Sequence, residues 1–547
     1  MHAWLNKLDQ YFPIRYLVWS ACVLLTLWFA LKWLWTGVGA VPTIGYAVLV
    51  GVGVRDMLQR RHTVLRNYPV IGHIRFLFEF IRPEIRQYLI ESDNDEAPFS
   101  RQQRSLVYQR AKGDPDQRPF GTQLDLDVEG YEWINHSLVP STITSEDFRV
   151  TIGWSASCTQ PYEASVFNVS AMSFGALSAN AVLALNGGAK KGRFAHDTGE
   201  GSISPYHRVH GGDLIWEIGS AYFGCRDELA RFDEKRFVAG ARDPAVKMIE
   251  IKLSQGAKPG HGGVLPGPKV TPEIAATRGV PEGVDCVSPA GHAEFSTPVG
   301  LLEFVERLRR LSGGKPTGFK FCVGHPWEWF AICKAMLDTD ITPDFIVVDG
   351  AEGGTGAAPL EFANHVGTPL QEGLQLVHNT LVGLNLRDRM KIGASGKIIS
   401  AFDIARAMAL GADWCNSARG FMFSLGCIQA QHCHTGKCPT GITTQSAVRQ
   451  RALVVPDKIE RVYRFHRETL LALRELAQAA GLKHPNEFRP THIVRRVTRG
   501  EVRLLANTLP HMEPGALLAA AEGRAPWPHN VFAIYWPRAA ADSFAAV

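Results

Sequence analysis

Several features are scarce or missing in this sequence, and each absence excludes a class of protein. Of its 547 residues, 58 are Lys or Arg and 53 are Asp or Glu, so the formal charge is only +5. This small excess gives no electrostatic footprint for nucleic acid. The chain has no internal repeat of fixed period and no long low-complexity tract. No loop matches Gly-x-x-x-x-Gly-Lys-Ser/Thr or a strand-linked Gly-x-Gly-x-x-Gly, so neither a P-loop nor a Rossmann dinucleotide site is predicted.

The cysteines contain no Cys-x-x-Cys pair, but three of them lie within a dozen residues: Cys427, Cys433 and Cys438. Soft thiolates gathered this closely suit iron–sulfur chemistry or zinc. Their spacing differs from the two-residue knuckle of structural zinc, and three thiolates fit a cluster of three irons better than a cubane. We therefore predict a redox protein. A zinc site completed by His432 or His434 is the alternative. The other seven cysteines are scattered and indicate a reducing compartment.

Residues 1–55 are predicted to be a membrane anchor. Residues 16–35 are apolar with one charge, Lys32, and about twenty such residues cross a hydrocarbon core of about 30 Å. A second apolar stretch covers residues 41–54, and four arginines follow within a dozen residues. The positive-inside rule then places the rest of the chain in the cytoplasm. We predict an N-terminal transmembrane helical hairpin in the cytoplasmic membrane with the large domain facing the cytoplasm. A single span is the alternative.

The rest of the chain divides by composition into three parts. Residues 56–160 form an Arg-rich, helical connecting region, which is interpreted as a collar at the membrane face or a lid over a site. Residues 161–450 have α/β texture. Residues 451–547 are predicted to hold one amphipathic helix, over residues 459–480, and a polar tail.

In the α/β part, β-like runs alternate with helical segments, and each run ends in a glycine-rich loop. The predicted strands cover residues 166–172, 248–252, 317–323, 345–349, 390–393 and 414–417. Repeated strand–loop–helix units over about 270 residues predict a (β/α)8 TIM-type barrel with its site in the loops after the strands. The loops at residues 353–356, 393–396 and 417–419 together favour binding of a mononucleotide phosphate.

Several long motifs resemble one known family, the FMN-binding synthase domain of glutamate synthases. The resemblance covers residues 166–445 and is carried by Met172-Ser-Phe-Gly-Ala-Leu-Ser, Thr198-Gly-Glu-Gly, Ile251-Lys-Leu-Ser-Gln-Gly-Ala-Lys-Pro-Gly, Leu265-Pro-Gly-Pro-Lys-Val, Gly353-Gly-Thr-Gly-Ala-Ala-Pro and the cysteine segment. The whole chain is similar to stand-alone, membrane-anchored glutamate synthase-like proteins. In that family the cysteine pattern binds a [3Fe-4S] cluster.

The resemblance implies a set of FMN contacts and a pocket for 2-oxoglutarate. The implied FMN contacts are Met172, Ser173, Lys252, Gln255, Lys320, Gly353, Gly354, Thr355, Gly396, Ala418 and Arg419. The implied pocket residues are Glu200, Lys258 and Arg278, of which the two cations suit a dicarboxylate.

The oxoacid pocket also departs from the family. Where the family has a glutamate and a glutamine, this sequence has His261 and Val264. His261 adds a candidate general acid or base, and Val264 cannot hydrogen-bond. Where the family has Pro-Pro-His-His-Asp, this sequence has Ser288-Pro-Ala-Gly-His-Ala-Glu. Only one of the family's two adjacent histidines has a counterpart here, His292. When an enzyme site loses a hydrogen-bonding group, the substrates that it accepts change sharply. The identity of the substrate is therefore left open by the sequence.

The first hypothesis is an FMN- and iron–sulfur-dependent oxidoreductase. It would convert a 2-oxoacid and ammonia to an amino acid, such as 2-oxoglutarate to glutamate, or run in reverse and pass electrons to a quinone or ferredoxin. No glutaminase or nicotinamide-binding domain is recognised, so ammonia is expected from solution or from a partner subunit. The alternatives are a flavin/cluster electron-relay module and an FMN oxidoreductase for an unrelated small molecule, in which His432 and Arg419 imitate a His–Arg pair.

Overall fold

The computed structural model describes residues 14–92, 94 and 97–546. The chain divides into two compact units between Pro98 and Phe99. This boundary falls inside the predicted connecting region. The sequence-based divisions at residues 55, 160 and 450 stay predictions.

The amino-terminal unit is helical. After a 3-10 turn at Ile14–Tyr16, its two long helices are α1 (Leu17–Thr36) and α2 (Ala40–Leu58). Both are long and apolar enough to cross a membrane, and their side chains are largely exposed. The second helix is longer than the predicted apolar stretch. The unit continues with helices Thr63–Asn67 and Gly72–Ile85 and a π-helical turn, Arg86–Ile90.

The two long helices form an antiparallel hairpin. The left-handed Gly37 (φ 70°) ends α1 and lets the chain reverse. The indole N–H of Trp19 donates to the Val50 carbonyl at 3.2 Å, and the rings of Phe29 and Tyr46 stack 5.8 Å apart. The structure therefore contains the predicted pair of helices.

The second unit is built around a closed barrel of eight parallel strands, as predicted. In chain order these barrel strands are β1 (Phe167–Val169), β2 (His196–Asp197), β3 (Leu214–Ile218), β4 (Val246–Lys252), β5 (Thr317–Phe321), β6 (Phe345–Asp349), β7 (Lys391–Ser395) and β8 (Trp414–Ser417). Each strand pairs with the next in the chain, and β8 closes on β1.

Helices after the strands form the outer layer of the barrel. They are Ala179–Gly192, Pro205–Arg208, Glu234–Ala241, Pro272–Arg278, Pro298–Leu311, Pro326–Thr339, Leu360–His365, Leu370–Gly383, Ala401–Ala409, Arg419–Ser424, Ala447–Gln450 and Val455–Ala479. The connection after β4 is the longest of those that follow a strand. It contains a two-stranded pairing of Val264–Leu265 with Cys286–Val287.

An antiparallel hairpin, Arg149–Ile152 with Tyr162–Ser165, packs at the amino-terminal end of the barrel. Its apolar side chains share a core with residues of the barrel strands: Val150, Ile152, Tyr162, Ala164, Ala195, Ile215, Met248, Phe345, Val347 and Trp414. The amino-terminal end of the barrel is therefore filled by apolar side chains, and polar side chains lie at the carboxyl ends of the strands.

For the segment after residue 450, the sequence predicts one helix and a polar tail. The structure contains the helix, but the residues after it form strands and short helices. Helix Val455–Ala479 is followed by strands Ile493–Thr498 and Glu501–Leu504, which pair with each other. Ile493–Thr498 also pairs with Glu132–Ile134 and so forms the middle of a three-stranded sheet. Short helices and 3-10 turns complete the region: Pro485–Glu487, Pro490–His492, Leu505–Thr508, Ala516–Ala521 and Asn530–Tyr535. Phe488, Leu505, Leu517 and Phe532 are buried, so this region belongs to the core of the second unit.

Candidate active site

A cavity opens at the carboxyl ends of the barrel strands. Loops after β1, β2, β4, β6, β7 and β8 and side chains from β3 and β5 line it. Most of the predicted site residues reach it: Met172, Ser173, Glu200, Lys252, Gln255, Lys258, Arg278, Lys320, Gly353, Gly354, Thr355, Gly396, Ala418, Arg419 and Cys433. The barrel topology thus brings together residues as far apart in the sequence as Met172 and Cys433.

The floor of the cavity is a buried layer of charge centred on Lys320. Its ammonium group forms an ion pair with Glu217, lies 3.0 Å from Glu250 and lies 4.0 Å from Asp197. Asp197, Glu217 and Glu250 hold ligand atoms within 4.8 Å of one another, and among the described residues they are the only such set of potential metal ligands. Lys320 already pairs with these three carboxyl groups, so a positive charge is present among them without a metal ion.

Burial shifts the pKa values in this layer. It raises the pKa of Glu250 to about 7, against the attraction of Lys320. Burial, followed by the charge of Glu250, also raises the pKa of Asp197 well above its usual value. For Lys320, burial favours the neutral amine, but the surrounding carboxylates outweigh burial and raise the pKa of the ammonium group. Lys320 therefore stays charged, and burial favours the protonated forms of Asp197 and Glu250 beside it.

At the rim of the cavity cationic side chains outnumber carboxylates, which is the reverse of the floor. Glu200 forms an ion pair with Lys252, in which Lys252 Nζ and Glu200 Oε2 are 3.2 Å apart. Burial favours the neutral form of Glu200, but Lys252, Arg278 and Lys258 outweigh it and lower the pKa of this carboxyl group. Burial, together with the charge of Lys252, lowers the pKa of Lys258. One carboxylate among three cations leaves a surplus of positive charge for an anionic ligand.

Arg278 is buried beside the β1 loop and is held in place. Its Nη2 donates to the Phe174 carbonyl at 2.9 Å and to the Ser173 hydroxyl at 3.2 Å. Its guanidinium group lies over the Phe223 ring, 5.2 Å from the centroid. The buried Nε has no hydrogen-bond partner. Because buried donors are normally paired, this Nε is an exception within a residue that lines the cavity.

Glycines and one arginine form the far wall of the cavity. The Arg419 guanidinium donates to the Thr355 carbonyl at 2.8 Å. A side chain at Gly354 would come within 3.3 Å of Arg419, and Gly396 has φ 153°, which L-residues rarely adopt. Ala418, at the start of helix Arg419–Ser424, has no side-chain cap, so backbone N–H groups remain for a ligand. The wall fits the predicted phosphate cradle.

The three cysteines of the predicted cluster lie on one loop, residues 425–446, of which Cys433 lines the cavity. Burial raises the pKa of Cys427 to about 11, and Cys433 and Cys438 lie close enough to contribute to the rise. Burial also opposes ionisation of Cys438, but hydrogen bonds with Thr440 and Thr443 outweigh it and lower the pKa of this thiol to about 7. Cys438 is therefore the thiol most readily ionised at neutral pH.

A buried lysine lies against the cysteine loop. The Lys269 ammonium group donates to the carbonyl of Cys433 at 3.2 Å and to that of Thr443 at 3.5 Å. On the other side of the loop, the charge of Arg419 favours the thiolate of Cys427. Two cations beside three thiols suit an anionic cluster of metal and sulfur. The cysteines and nearby histidines do not form a group within 4.8 Å among the described residues, so the zinc alternative receives no support.

Several sequence-predicted residues lie outside the cavity. The His261 ring meets Phe362 edge-on at 5.3 Å, and its Nδ1 lies 2.8 Å from the neighbouring Gly262 carbonyl. His292 is half-buried, and its Nε2 lies 2.9 Å from the Lys252 carbonyl, so it contacts the end of β4. His432 is exposed and does not meet Arg419 in the cavity. Val264 does line the cavity, as an apolar patch.

Sequence reasoning missed the role of the segment that begins at Phe99. Phe99 lines the cavity, and its carbonyl accepts a hydrogen bond from Gln429 at 3.1 Å. In helix Arg101–Lys112, the Tyr108 hydroxyl donates to the Cys427 carbonyl at 2.5 Å. This part of the predicted connecting region therefore covers the cysteine loop, which agrees with the lid interpretation for these residues.

Fold and site together define a (β/α)8-barrel protein with a charged ligand cavity beside a three-cysteine loop. The model of the conserved region in glutamate synthase matches residues 149–483. A glutamate synthase large subunit-like protein, YerD of Bacillus subtilis (strain 168), is 37% identical over 86% of this chain and 97% of that protein. The chain belongs to the glutamate synthase family, and this membership places it among oxidoreductases.

Two further comparisons are more distant. The archaeal glutamate synthase [NADPH] of Methanocaldococcus jannaschii is 36% identical over 58% of this chain and 59% of that protein. Among solved structures, an L230A mutant flavocytochrome b2 with benzoylformate aligns over 81% of this chain and 90% of that chain, with 11% identity and a TM-score of 0.40. The second likeness is too slight to support a conclusion about function.

Proposed function

We propose that the protein is a membrane-anchored, FMN- and [3Fe-4S]-dependent oxidoreductase that reductively aminates a 2-oxoacid. The reaction would form glutamate from 2-oxoglutarate and ammonia, or run in reverse as amino-acid oxidation. One observation carries the proposal: a single cavity joins the glycine-lined wall, the cationic rim and one cysteine of the loop. These are the parts that a flavin phosphate, an anionic substrate and a cluster require.

The residues present fit FMN. Gly353, Gly354, Thr355, Gly396 and Arg419 would hold its phosphate, and backbone groups of Met172 and Ser173 would face its ring. Bound FMN would supply hydride transfer to or from the substrate carbon, and the cluster would supply single electrons. Lys252 and Lys320, which line the cavity, would supply positive charge that stabilises a reduced flavin ring.

The residues also fit a cluster held by Cys427, Cys433 and Cys438. The lowered pKa of Cys438 provides one thiolate at neutral pH, and Lys269 and Arg419 offset the charge of the group. Cys433 lines the cavity itself, which supports a short path for electrons between the two cofactors.

The cationic rim would bind the substrate. Arg278 and Lys258, which both line the cavity, would bind its carboxylates. Glu200, ionised by its cationic neighbours, would hold Lys252 in place at the rim. Val264 replaces the polar side chain of the family, so the pocket wall near it favours apolar parts of a substrate.

Anaerobic flavin reoxidation tests the reaction. The purified protein is reduced chemically, and the flavin absorbance is followed after addition of 2-oxoglutarate with ammonium or of each alone. Fast reoxidation only with both supports the proposal. No response from protein shown to contain flavin and cluster would contradict it and would favour the electron-relay alternative. A response to other 2-oxoacids instead would change only the substrate.

Substitution of a cysteine tests the cluster. We expect Cys438→Ser to lose the cluster signal in electron paramagnetic resonance while keeping FMN. Cys158→Ser is the matched control, because Cys158 lies outside the cavity and outside the cysteine loop. Retention of the full signal by Cys438→Ser would contradict the assignment.

The two apolar helices support a location in the cytoplasmic membrane, with the barrel facing the cytoplasm. This location suits a membrane quinone, or a ferredoxin, as the electron partner. Addition of a quinone analogue to the substrate-reduced enzyme tests the first of these, since rapid flavin reoxidation is expected only if the quinone accepts electrons.

A further inference from the structure

Beyond its two long helices, the amino-terminal unit presents an amphipathic helix, Gly72–Ile85. Its apolar side chains recur at helical spacing on one face: Ile74, Leu77, Phe78, Ile81 and Ile85. Ile74, Leu77 and Phe78 are 50%, 56% and 59% exposed. A row of large apolar side chains with this exposure marks an interaction surface rather than a core face.

Phe76 and Phe80, of which Phe80 is 77% exposed, lie along one side of this apolar row. The other side of the row is charged, and its surroundings are basic. Arg75, Glu79 and Arg82 lie there, with Arg75 and Glu79 paired at 3.0 Å. Residues 55–86 contain seven arginines against three acidic residues. One of the three, Asp56, is buried. The solvent-facing charge of this stretch is therefore positive.

A buried carboxylate ties the start of this helix to the end of α2. Asp56, in the last turn of α2, accepts a hydrogen bond from the Val70 amide at 3.0 Å and pairs with His73 at 2.9 Å. Gln59 shapes the intervening turn by accepting from the amides of Arg61 and His62. The amphipathic helix therefore begins at the same level as the end of α2.

We propose that Gly72–Ile85 lies in the plane of the membrane surface and binds anionic phospholipid headgroups. Its apolar face would enter the boundary of the acyl chains, and its arginines would contact the lipid phosphates. The proposal rests on the proposed membrane anchor. When α2 crosses the membrane, it ends at the interface, and the contacts of Asp56 hold helix Gly72–Ile85 there. Positive charge and continuity with two apolar helices favour lipid over a protein partner.

Lipid quenching in the full-length, cofactor-loaded protein tests the helix. An environment-sensitive fluorescent amino acid replaces Phe78 on the apolar face, Glu79 on the charged face as control, or Leu27 in α1 as a reporter of the anchor. Each protein is reconstituted into phosphatidylcholine vesicles with and without phosphatidylglycerol, using lipids with brominated acyl chains as quenchers. Flavin absorbance verifies that each variant is folded.

We expect the labels at Leu27 and Phe78 to be quenched and blue-shifted and the label at Glu79 to be affected far less. Quenching at Phe78 is expected to increase with phosphatidylglycerol. The double variant Arg75→Gln/Arg82→Gln should lose this increase, whereas Arg231→Gln, an exposed arginine in the second unit, should keep it.

Each contrary outcome overturns a defined part of the proposal. Quenching at Leu27 without quenching at Phe78 would leave the anchor and refute the surface helix. Quenching at neither position would refute the anchor itself. A label at Phe78 that is blue-shifted equally in detergent and in vesicles, and is not quenched, would show that a protein surface covers this face. Quenching at Phe78 that is independent of phosphatidylglycerol would refute headgroup recognition.

Discussion

At the scale of single residues, the cavity separates charge by depth. Its floor holds the carboxyl groups of Asp197, Glu217 and Glu250 around the ammonium group of Lys320. Its rim holds more cations than carboxylates. A negatively charged substrate is therefore attracted to the rim rather than to the floor.

Glu250→Gln is expected to change how stability depends on pH. Glu250 has a pKa of about 7 in the folded protein, against an ordinary value of 4.5. The folded state therefore binds the proton more tightly, and stability falls as pH rises from about 4.5 to about 7, by up to about 1.4 kcal/mol per pH unit. Glutamine cannot ionise and removes this loss.

The apparent melting temperature of the parent and the variant, measured from pH 5 to pH 8, tests this prediction. The advantage of Glu250→Gln over the parent should grow with pH. Glu303→Gln, at an exposed position in helix Pro298–Leu311, is the control and should show no growth. An advantage that shrinks between pH 5 and pH 7 would contradict the expected direction.

The same residues show what the sequence could reveal about the site. Lys252, Gln255 and Lys258 were predictable because they directly follow a strand and match family motifs. The acidic floor was missed because Glu217 and Glu250 are each a single acidic residue between apolar neighbours in a strand, which is a weak signal. His261 was predicted as catalytic, but it lies beside Phe362, outside the cavity.

At the scale of elements, the barrel strands differ in how clearly the sequence marks them. The predicted bounds of β6 and β8 agree with the structure. β2 has only two residues, too few for an apolar run to be visible, and β3 was also missed. The sheet after residue 490 was missed because its strands are rich in arginine and pair with a segment more than 350 residues earlier.

Helix Arg101–Lys112 is expected to stabilise the cysteine loop. In Tyr108→Phe the hydrogen bond to the Cys427 carbonyl is lost, at a cost of about 1 kcal/mol. We expect faster loss of cluster absorbance in the presence of an iron chelator, with unchanged FMN content. Tyr131→Phe, outside the cavity, is the control. Equal rates of cluster loss in the parent and Tyr108→Phe would mean that the helix does not protect the loop.

At the scale of the whole molecule, the division between Pro98 and Phe99 separates two kinds of surface. The first unit is helical and exposes long apolar faces, whereas the second contains the barrel, the cavity and the cysteine loop. All residues proposed to hold FMN, substrate and cluster lie in the second unit. The first unit is therefore expected to determine where the protein resides without contributing to the chemistry.

Cleavage between the units is expected to release an intact barrel. A specific-protease site is inserted before Pro98, and the protein is cleaved after reconstitution into vesicles. Because the cavity and its core lie after Pro98, the fragment should appear in the soluble fraction with its flavin and cluster absorbance, while the amino-terminal fragment stays with the lipid. Uncleaved protein and protein without the inserted site are the controls. A released fragment that has lost its cofactors would show that residues before Phe99 complete the site, and a barrel that stays on the vesicles after cleavage would show a second membrane contact.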